Sequence, residues 1–178
     1  MANKTYIALL RGINVGGKNA LPMAELAAMF EAAGCQSVRT YIHSGNVVFD
    51  ASQAIAAKVP AAISAAICRQ RGFESPVILR SGAELRAAAK RNPFAKAPAE
   101  HLHMACLDSD PGALAATLEP NRSPGDSFRV DGREIFLHCP KGYGKTKLTN
   151  AWFDSRLKTT STVRNWKTVL KLLELSGA

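Results

Sequence analysis

The sequence predicts an α+β fold of two tandem ferredoxin-like halves, the second ending in an extra helix instead of a last strand. Three observations predict it. The first 80 residues alternate apolar runs and helical periodicity in the order βαββαβ. An alanine- and proline-containing stretch near 92–99 then interrupts the pattern. Beyond it the order of elements starts again, without repetition of the sequence itself. The expected divisions are a first half over 1–80, a capping helix and connector over 81–99, and a second half with its C-terminal helix over 100–178.

In the first half, the apolar run at about 5–10 reads as a buried strand. A glycine-rich loop leads from it to a helix at about 22–33, with Pro22 in the first turn and Met23, Leu26, Ala27 and Phe30 as its apolar stripe. Gly34 is a natural stop. Ser37–Ile42 and Asn46–Phe49 read as a hairpin turned by His43-Ser44-Gly45. A helix within 53–71 carries Val59, Ile63, Ala66 and Ile67 on one face, with its regular part starting or kinking near Lys58 because of Pro60. Pro76–Arg80 is the fourth strand. Ser81 and Glu84 form a capping box for a helix to about Lys90, which Asn92-Pro93-Phe94 ends.

The second half opens with a strand over His101–Leu107 and a helix from Asp110-Pro111 to about Leu118. Ser127–Val130 and Arg133–His138 form a hairpin through Asp131-Gly132. A helix at about 147–158 follows, then another with Trp166, Val169, Leu170 and Leu173 at i, i+3, i+4 and i+7.

Composition bounds the function. The 178 residues suffice for one sizeable core or two small ones, and 47% hydrophobic with 21% charged residues is ordinary for a folded, soluble chain. No run approaches about 20 apolar residues, so no membrane span is expected. No signal peptide is expected either, because Arg11 interrupts the opening apolar run. Cys35, Cys68, Cys106 and Cys139 are scattered without metal-ligand spacing, which reads as reduced, mostly buried thiols in a cytoplasmic protein. The net charge of +9 stands out. Eight cations against two acids lie between Lys141 and the C-terminus, so this segment carries most of the excess. It reads either as a solubilising surface or as a face for anionic partners.

The opening LRGINVGGKN, the hairpin SGNVVF (Ser44–Phe49), the Asn92-Pro93-Phe94 stop, Thr146-Lys147-Leu148-Thr149-Asn150 and the closing TVRNWKTV (Thr162–Val169) resemble an uncharacterised bacterial family, a domain of unknown function. The resemblance spans nearly the whole chain. It implies an α+β fold of two ferredoxin-like halves and supplies no reaction, ligand or catalytic residue.

Candidate chemistry therefore comes from the residues. In the loop Arg11-Gly12-Ile13-Asn14-Val15-Gly16-Gly17-Lys18, the N–H groups of Gly16 and Gly17 with the charges of Arg11 and Lys18 could cradle an anion. Alternatively the glycines serve a tight crossover that Asn14 braces. Gly142-Tyr143-Gly144-Lys145-Thr146 ends like a Walker A motif, but Cys139 stands where its first glycine belongs, which excludes a nucleotide hydrolase built on it. A phosphate contact through Lys145 and Lys147 remains, beside the reading of a solvated connector. Arg164 and Asn165 are placed in the first turn of the last helix, gripping an anion or pairing with an acid, while Trp166 anchors the core. His101 and His103 alternate on one strand, and His43 adjoins Ser44. No acid or third group is placed to complete a metal site or a catalytic pair, so no metal, cofactor or catalytic residue is assigned.

The reading that results is an anion-binding protein for a phosphorylated metabolite or a nucleic acid backbone. It uses the glycine loop and the basic C-terminal segment. One alternative is an enzyme acting on a small anionic substrate held by Arg11, Asn14, Lys18, Ser44 and Asn46 in a cleft between the halves. The other is a structural or protein-interaction module, whose protein partners the sequence does not name. RNA binding would rest on phosphate contacts, because no strand carries the aromatic pattern of an RNA-recognition motif.

Overall fold

A computed structural model describes residues 2–177; positions 1 and 178, the outer ends of the first and last expected divisions, lie outside the described residues. The fold is α+β, with two four-stranded antiparallel sheets and several helices. The chain divides into two compact units, one of residues up to Arg86 with the segment from Leu172, the other Ala87–Lys171.

In the first unit β1 (Lys4–Leu10) leads to α1 (Met23–Ala32), the hairpin β2 (Gln36–Tyr41) and β3 (Asn46–Ala51), a single turn α2 (Gln53–Ala56), α3 (Val59–Arg71) and β4 (Val77–Ser81). The sheet order is β2-β3-β1-β4. Tyr6, Ala8 and Leu10 alternate into a core shared with Leu26 and Phe30 of α1, Phe49 of β3 and Ile63 and Ile67 of α3. Phe49 holds it together, with ring centroids 5.8 Å from Tyr6 and 5.3 Å from Phe30. Ile7 and Leu9 on the opposite face of β1 are equally buried, which is why β1 reads as an unbroken apolar run. Pro60 divides the helix expected over 53–71 into α2 and α3 and sits in the first turn of α3, where its missing N–H has no helical partner to lose.

The helix α4 (Gly82–Lys90) opens with the expected capping box: the Ser81 N–H donates to Glu84 Oε2 at 2.7 Å and the Glu84 N–H to Ser81 Oγ at 3.2 Å. In the second unit β5 (Leu102–Leu107), the hairpin β6 (Ser127–Asp131) and β7 (Glu134–His138), α5 (Asn150–Leu157) and β8 (Ser161–Asn165) follow, and α6 (Trp166–Leu175) closes the chain. The order β6-β7-β5-β8 is that of the first sheet shifted by four strands. Ala105, Ile135, Leu137, Trp152 and Phe153 form its core on the α5 side.

Four expectations are corrected here. The last strand is present: β8 pairs antiparallel with β5, from Leu107↔Ser161 to His103↔Asn165. Lys158 in the left-handed region ends α5, and after Thr159 and Thr160 the chain enters β8, where the β-branched Thr162 and Val163 favour strand over helix. Arg164 and Asn165 consequently belong to β8, not to a helical turn; Asn165 ends the strand and accepts the Thr168 N–H at 2.8 Å on its side-chain oxygen, capping α6. The helix expected from Asp110 is only a 3-10 segment, Gly112–Thr117. Asp110 caps the Gly112 N–H at 2.8 Å, but Gly112 has φ +54°, which α-helical geometry cannot continue. Finally, α6 buries Trp166, Val169 and Leu172, whereas Leu170 is 47% exposed.

None of the four cysteines is joined in a disulfide; Cys35, Cys106 and Cys139 are buried and Cys68 is exposed. Burial pushes the Cys35 and Cys139 thiols up to about 11, so neither forms thiolate near neutral pH. A thiol titration of the native protein at pH 8 with an aromatic disulfide reagent is expected to find one fast-reacting cysteine per chain, abolished by Cys68→Ser. Two or more fast thiols would contradict the packing described here.

Candidate functional site

The end of the first sheet where β1 finishes gathers most of the predicted residues. Here Gly16 and Gly17 have φ of +58° and +74°, the two left-handed positions of a type I′ turn between Val15 and Lys18. The Lys18 N–H donates to Val15 O and the Asn14 N–H to Asn19 O, both at 3.0 Å. The glycine loop is therefore a miniature β-hairpin, closed further by Asn19 Nδ2 on Gly12 O at 2.8 Å. The glycines are required by the turn, since a Cβ at Gly12, Gly16 or Gly17 would meet no atom within 4 Å.

Asn14 fixes this hairpin in place. Its side-chain oxygen accepts the Leu21 N–H at 2.8 Å, while its amide donates to Leu21 O at 2.9 Å and to the His43 carbonyl of the β2–β3 turn at 2.8 Å. Asn46, fully buried, plays the same part inside that turn: it donates to Tyr41 O at 3.1 Å and to Ser44 Oγ at 3.0 Å. Arg11 is anchored through its backbone, its N–H on Pro76 O at 3.0 Å and its carbonyl accepting Ser75 Oγ at 2.8 Å. Thus Arg11, the hairpin and Ser44 belong to one end of one sheet, with Asn14 and Asn46 as braces.

At the hairpin tip the situation differs. The N–H groups of Gly16 and Gly17 take no acceptor among the described residues. Lys18, exposed beside them, makes no ion pair there. Ile42, in the adjoining β2–β3 turn, is 48% exposed and has φ +50°, an unusual conformation for a β-branched residue.

The second unit repeats the framework with the opposite charge. Leu10 donates to Gly45 O at 2.8 Å and Arg11 to Pro76 O; in the second unit Leu107 donates to Arg133 O at 2.8 Å and Asp108 to Thr160 O at 2.9 Å. Asp108 occupies the place of Arg11, and Asp110 and Asp131 stand in the adjoining turns.

The remaining predicted residues lie elsewhere in that unit. Arg164 is buried on β8, donating to Thr162 Oγ1 at 2.8 Å and Val163 O at 2.9 Å. Burial lowers its pKa to about 10, against the opposing influence of the nearby Cys106, so it stays charged at neutral pH. Arg80 of β4 holds the corresponding place, opposite Ile7 as Arg164 is opposite Met104, and its guanidinium likewise bonds the preceding carbonyl, Leu79 O, at 2.8 Å. Lys145 and Lys147 are exposed in the loop before α5 and make no ion pair among the described residues.

Two features escaped the sequence reading. Tyr143 stacks on His103, with ring centroids 4.8 Å apart. His103 is 8% exposed and its Nδ1 has no hydrogen-bond partner; burial lowers its pKa, with the His101 carbonyl acting the other way, and leaves it neutral near pH 7. A groove of about 520 Å³ runs along the edge strand β6, lined by Ala115, Leu118, Phe128 and Arg129 and by none of the predicted residues. No group of three or more metal-ligating side chains is found among the described residues, and no helix there is long and apolar enough to cross a membrane.

Residues 3–136 match the family described as "Protein of unknown function (DUF1697)", in agreement with the resemblance of the opening and hairpin motifs. The chain is also similar to a solved structure, that of the conserved bacterial protein SP0830 from Streptococcus pneumoniae. The two are 25% identical, 98% of this chain and 99% of that one are covered, and the TM-score is 0.78. No curated protein matches.

Proposed function

We propose that this chain, which belongs to the DUF1697 family of proteins of unknown function, is an anion-binding protein whose ligand is a phosphorylated metabolite or a nucleic acid backbone. The observation that carries the reading is the tip of the β1–α1 hairpin. Among the described residues two consecutive glycine N–H groups there have no acceptor, and a lysine that makes no ion pair follows them directly. Consecutive amides in a turn form a concavity of partial positive charge, and a lysine beside it adds a full one. The second unit serves as an internal comparison. The same backbone framework exists there with Asp108 in place of Arg11 and no glycine hairpin, so the fold alone does not demand these features. The lysines of the basic C-terminal segment, Lys145 and Lys147, supply a second, independent patch of positive charge.

The architecture accords with this assignment of the loop. The succession βαββαβ with strand order β2-β3-β1-β4 supports a ferredoxin-like reading of the first unit, and β6-β7-β5-β8 the same reading of the second. In that arrangement the hairpin is a strand-to-helix connection free to vary without disturbing the sheet.

Thermal unfolding in the presence of pyrophosphate tests the proposal. At about 100 times the dissociation constant the wild type should gain about 2.7 kcal/mol, several degrees in Tm for a chain of this length. The gain should shrink with added salt. Lys18→Ala, a surface change with little effect on stability by itself, is expected to weaken pyrophosphate binding about tenfold. An unchanged affinity would remove the hairpin from the reading.

A further inference from the structure

We propose that the outer edge of β6 in the second unit takes up an extended segment of another protein as an added antiparallel strand, and that this segment carries an acidic residue between two apolar ones. The inference goes beyond anion binding and does not depend on it. Four observations converge on the edge.

The first is the open backbone. Arg133 O accepts the Leu107 N–H and the Cys139 N–H donates to His101 O, both at 2.8 Å, so the odd-numbered residues of β7 turn their backbone toward β5. The even-numbered ones, Glu134, Phe136 and His138, face β6 and bond Asp131, Arg129 and Ser127. The N–H and C=O groups of Phe128 and Val130 therefore point away from the sheet, and no partner meets them among the described residues. Two donors and two acceptors stand ready for a further strand.

The second is the groove beside them. Its volume of about 520 Å³ lies between β6 and a wall that includes Ala115, Leu118 and Pro120. In the first unit the stretch before the edge strand is α1, which packs beside β2 and buries Leu26, Met29 and Phe30. Here it is the 3-10 segment Gly112–Thr117, which buries none of its residues. This shorter cover leaves room for a strand. Phe128 and Val130 lean on the core on the same side, so residues paired with them would lie in the groove and should be apolar.

The third is the regularity of the edge. β6 keeps an unbroken register with β7, from Ser127↔His138 to Asp131↔Glu134, and contains no proline. The corresponding edge β2 is irregular between Gln36 and Arg39, with Ser37 at φ +51°. Irregular edges resist another strand, and regular ones accept it.

The fourth is charge. Arg129 is exposed on the opposite face of β6, and its side chain makes no ion pair or hydrogen bond among the described residues. The neighbouring acids are engaged: Asp126 accepts the Ser123 hydroxyl at 2.6 Å, Glu119 bonds Arg156, and Asp131 and Glu134 bond Arg91. Arg122 lies over the Trp152 ring. Two copies of this chain could pair all their open β6 groups only in the register that sets Arg129 opposite Arg129, and like charges so placed disfavour it. A foreign strand with Asp or Glu at that position gains an ion pair instead.

The test is a titration of the 15N-labelled full chain with the blocked peptide Ser-Thr-Val-Glu-Val-Thr-Ser, followed by amide shifts and solvent exchange. At millimolar peptide the Phe128 and Val130 amides should move downfield and become protected. Replacing the peptide's glutamate by lysine should weaken binding about fivefold, the size of one cross-strand charge pair. Arg129→Glu should reverse that preference, and Arg129→Gln, which keeps the strand and its packing, should abolish it. N-methylation of both peptide valines should abolish binding, since their N–H groups would donate to Phe128 O and Val130 O. Unmoved Phe128 and Val130 amides, full binding of the N-methylated peptide, or a charge preference indifferent to Arg129 would overturn the proposal. Shifts of Ala115 and Leu118 without those two amides would put a helix in the groove and overturn it as well. So would a dimer in sedimentation equilibrium that the peptide dissociates, because a second copy would then own the edge. Pyrophosphate binding that depends on Lys18 would survive each of these failures.

Discussion

Gly45→Ala is expected to destabilise the protein by about 3 kcal/mol, within the roughly 2–5 kcal/mol obtained by adding a left-handed backbone cost of about 1–2 kcal/mol to an overpacked contact cost of about 1–3 kcal/mol. Gly45 has φ +78° in the β2–β3 turn. A Cβ there would lie 2.7 Å from Leu10 Cβ and 2.9 Å from Ile13 Cδ1. Both neighbours are 1% exposed and sit in the core, so neither can step aside. The Gly45 carbonyl also accepts the Leu10 N–H at 2.8 Å, so a shifted turn would cost β1 its terminal bond. Thermal unfolding should show Tm falling by roughly 6–12 °C. Gly16→Ala is the control: its φ is also positive, but its Cβ meets nothing, so only the backbone cost of about 1–2 kcal/mol should appear. Equal losses in the two variants would show that the close approach of the turn to Leu10 and Ile13 is wrong.

The second large effect is expected at Asn14. Alanine there removes three hydrogen bonds at once and leaves both backbone groups of Leu21, a residue 1% exposed, without their partners. An unsatisfied buried group costs about 1–3 kcal/mol, and Asn14 at φ +52° occupies a conformation that asparagine tolerates better than alanine. A loss of about 2–6 kcal/mol follows from the two unsatisfied groups alone. Asn14→Asp keeps the acceptor for the Leu21 N–H and loses both donors, so it should fall below wild type as well. Urea unfolding measures both. If the braced hairpin is also the anion site, Asn14→Ala should weaken pyrophosphate binding at temperatures where the variant is still folded. A stability loss under 1 kcal/mol would mean that the loop is held by something other than Asn14.

Most of the first unit was legible because its local signals agree. The apolar run of β1, the stripe of α1, the glycine after it and the capping box of Ser81 and Glu84 each have a short-range physical cause, and all appear where the residues place them. The glycine loop was legible as a place but not as a shape. Three glycines and two asparagines fit an anion cradle or a braced crossover equally well. Only the register shows that Asn14 faces Asn19 and that Gly16 and Gly17 turn a hairpin. Asn14 and Asn46 are braces, while among the described residues the tip amides have no acceptor and Lys18 makes no ion pair.

The second unit was less legible because its decisive signal is long-range. Trp166, Val169, Leu170 and Leu173 have a helical period, which drew the helix boundary toward the preceding strand. The clue lay in a comparison of distant segments. Val77-Ile78-Leu79-Arg80-Ser81 and Ser161-Thr162-Val163-Arg164-Asn165 are both strands whose fourth residue is a buried arginine and whose last residue caps the next helix. With that alignment Arg164 falls on a strand. The Tyr143–His103 stack could not be found this way, since it joins residues 40 apart that share no periodicity.

The most direct test of anion binding at the β1–α1 hairpin is a titration of the 15N-labelled protein with pyrophosphate, followed by amide chemical shifts. Saturable shifts of the Gly16, Gly17 and Lys18 amides, lost in Lys18→Ala, are the predicted result. Amides of the hairpin that stay still while the protein is saturated, or shifts confined to the lysine loop of the second unit, would contradict it.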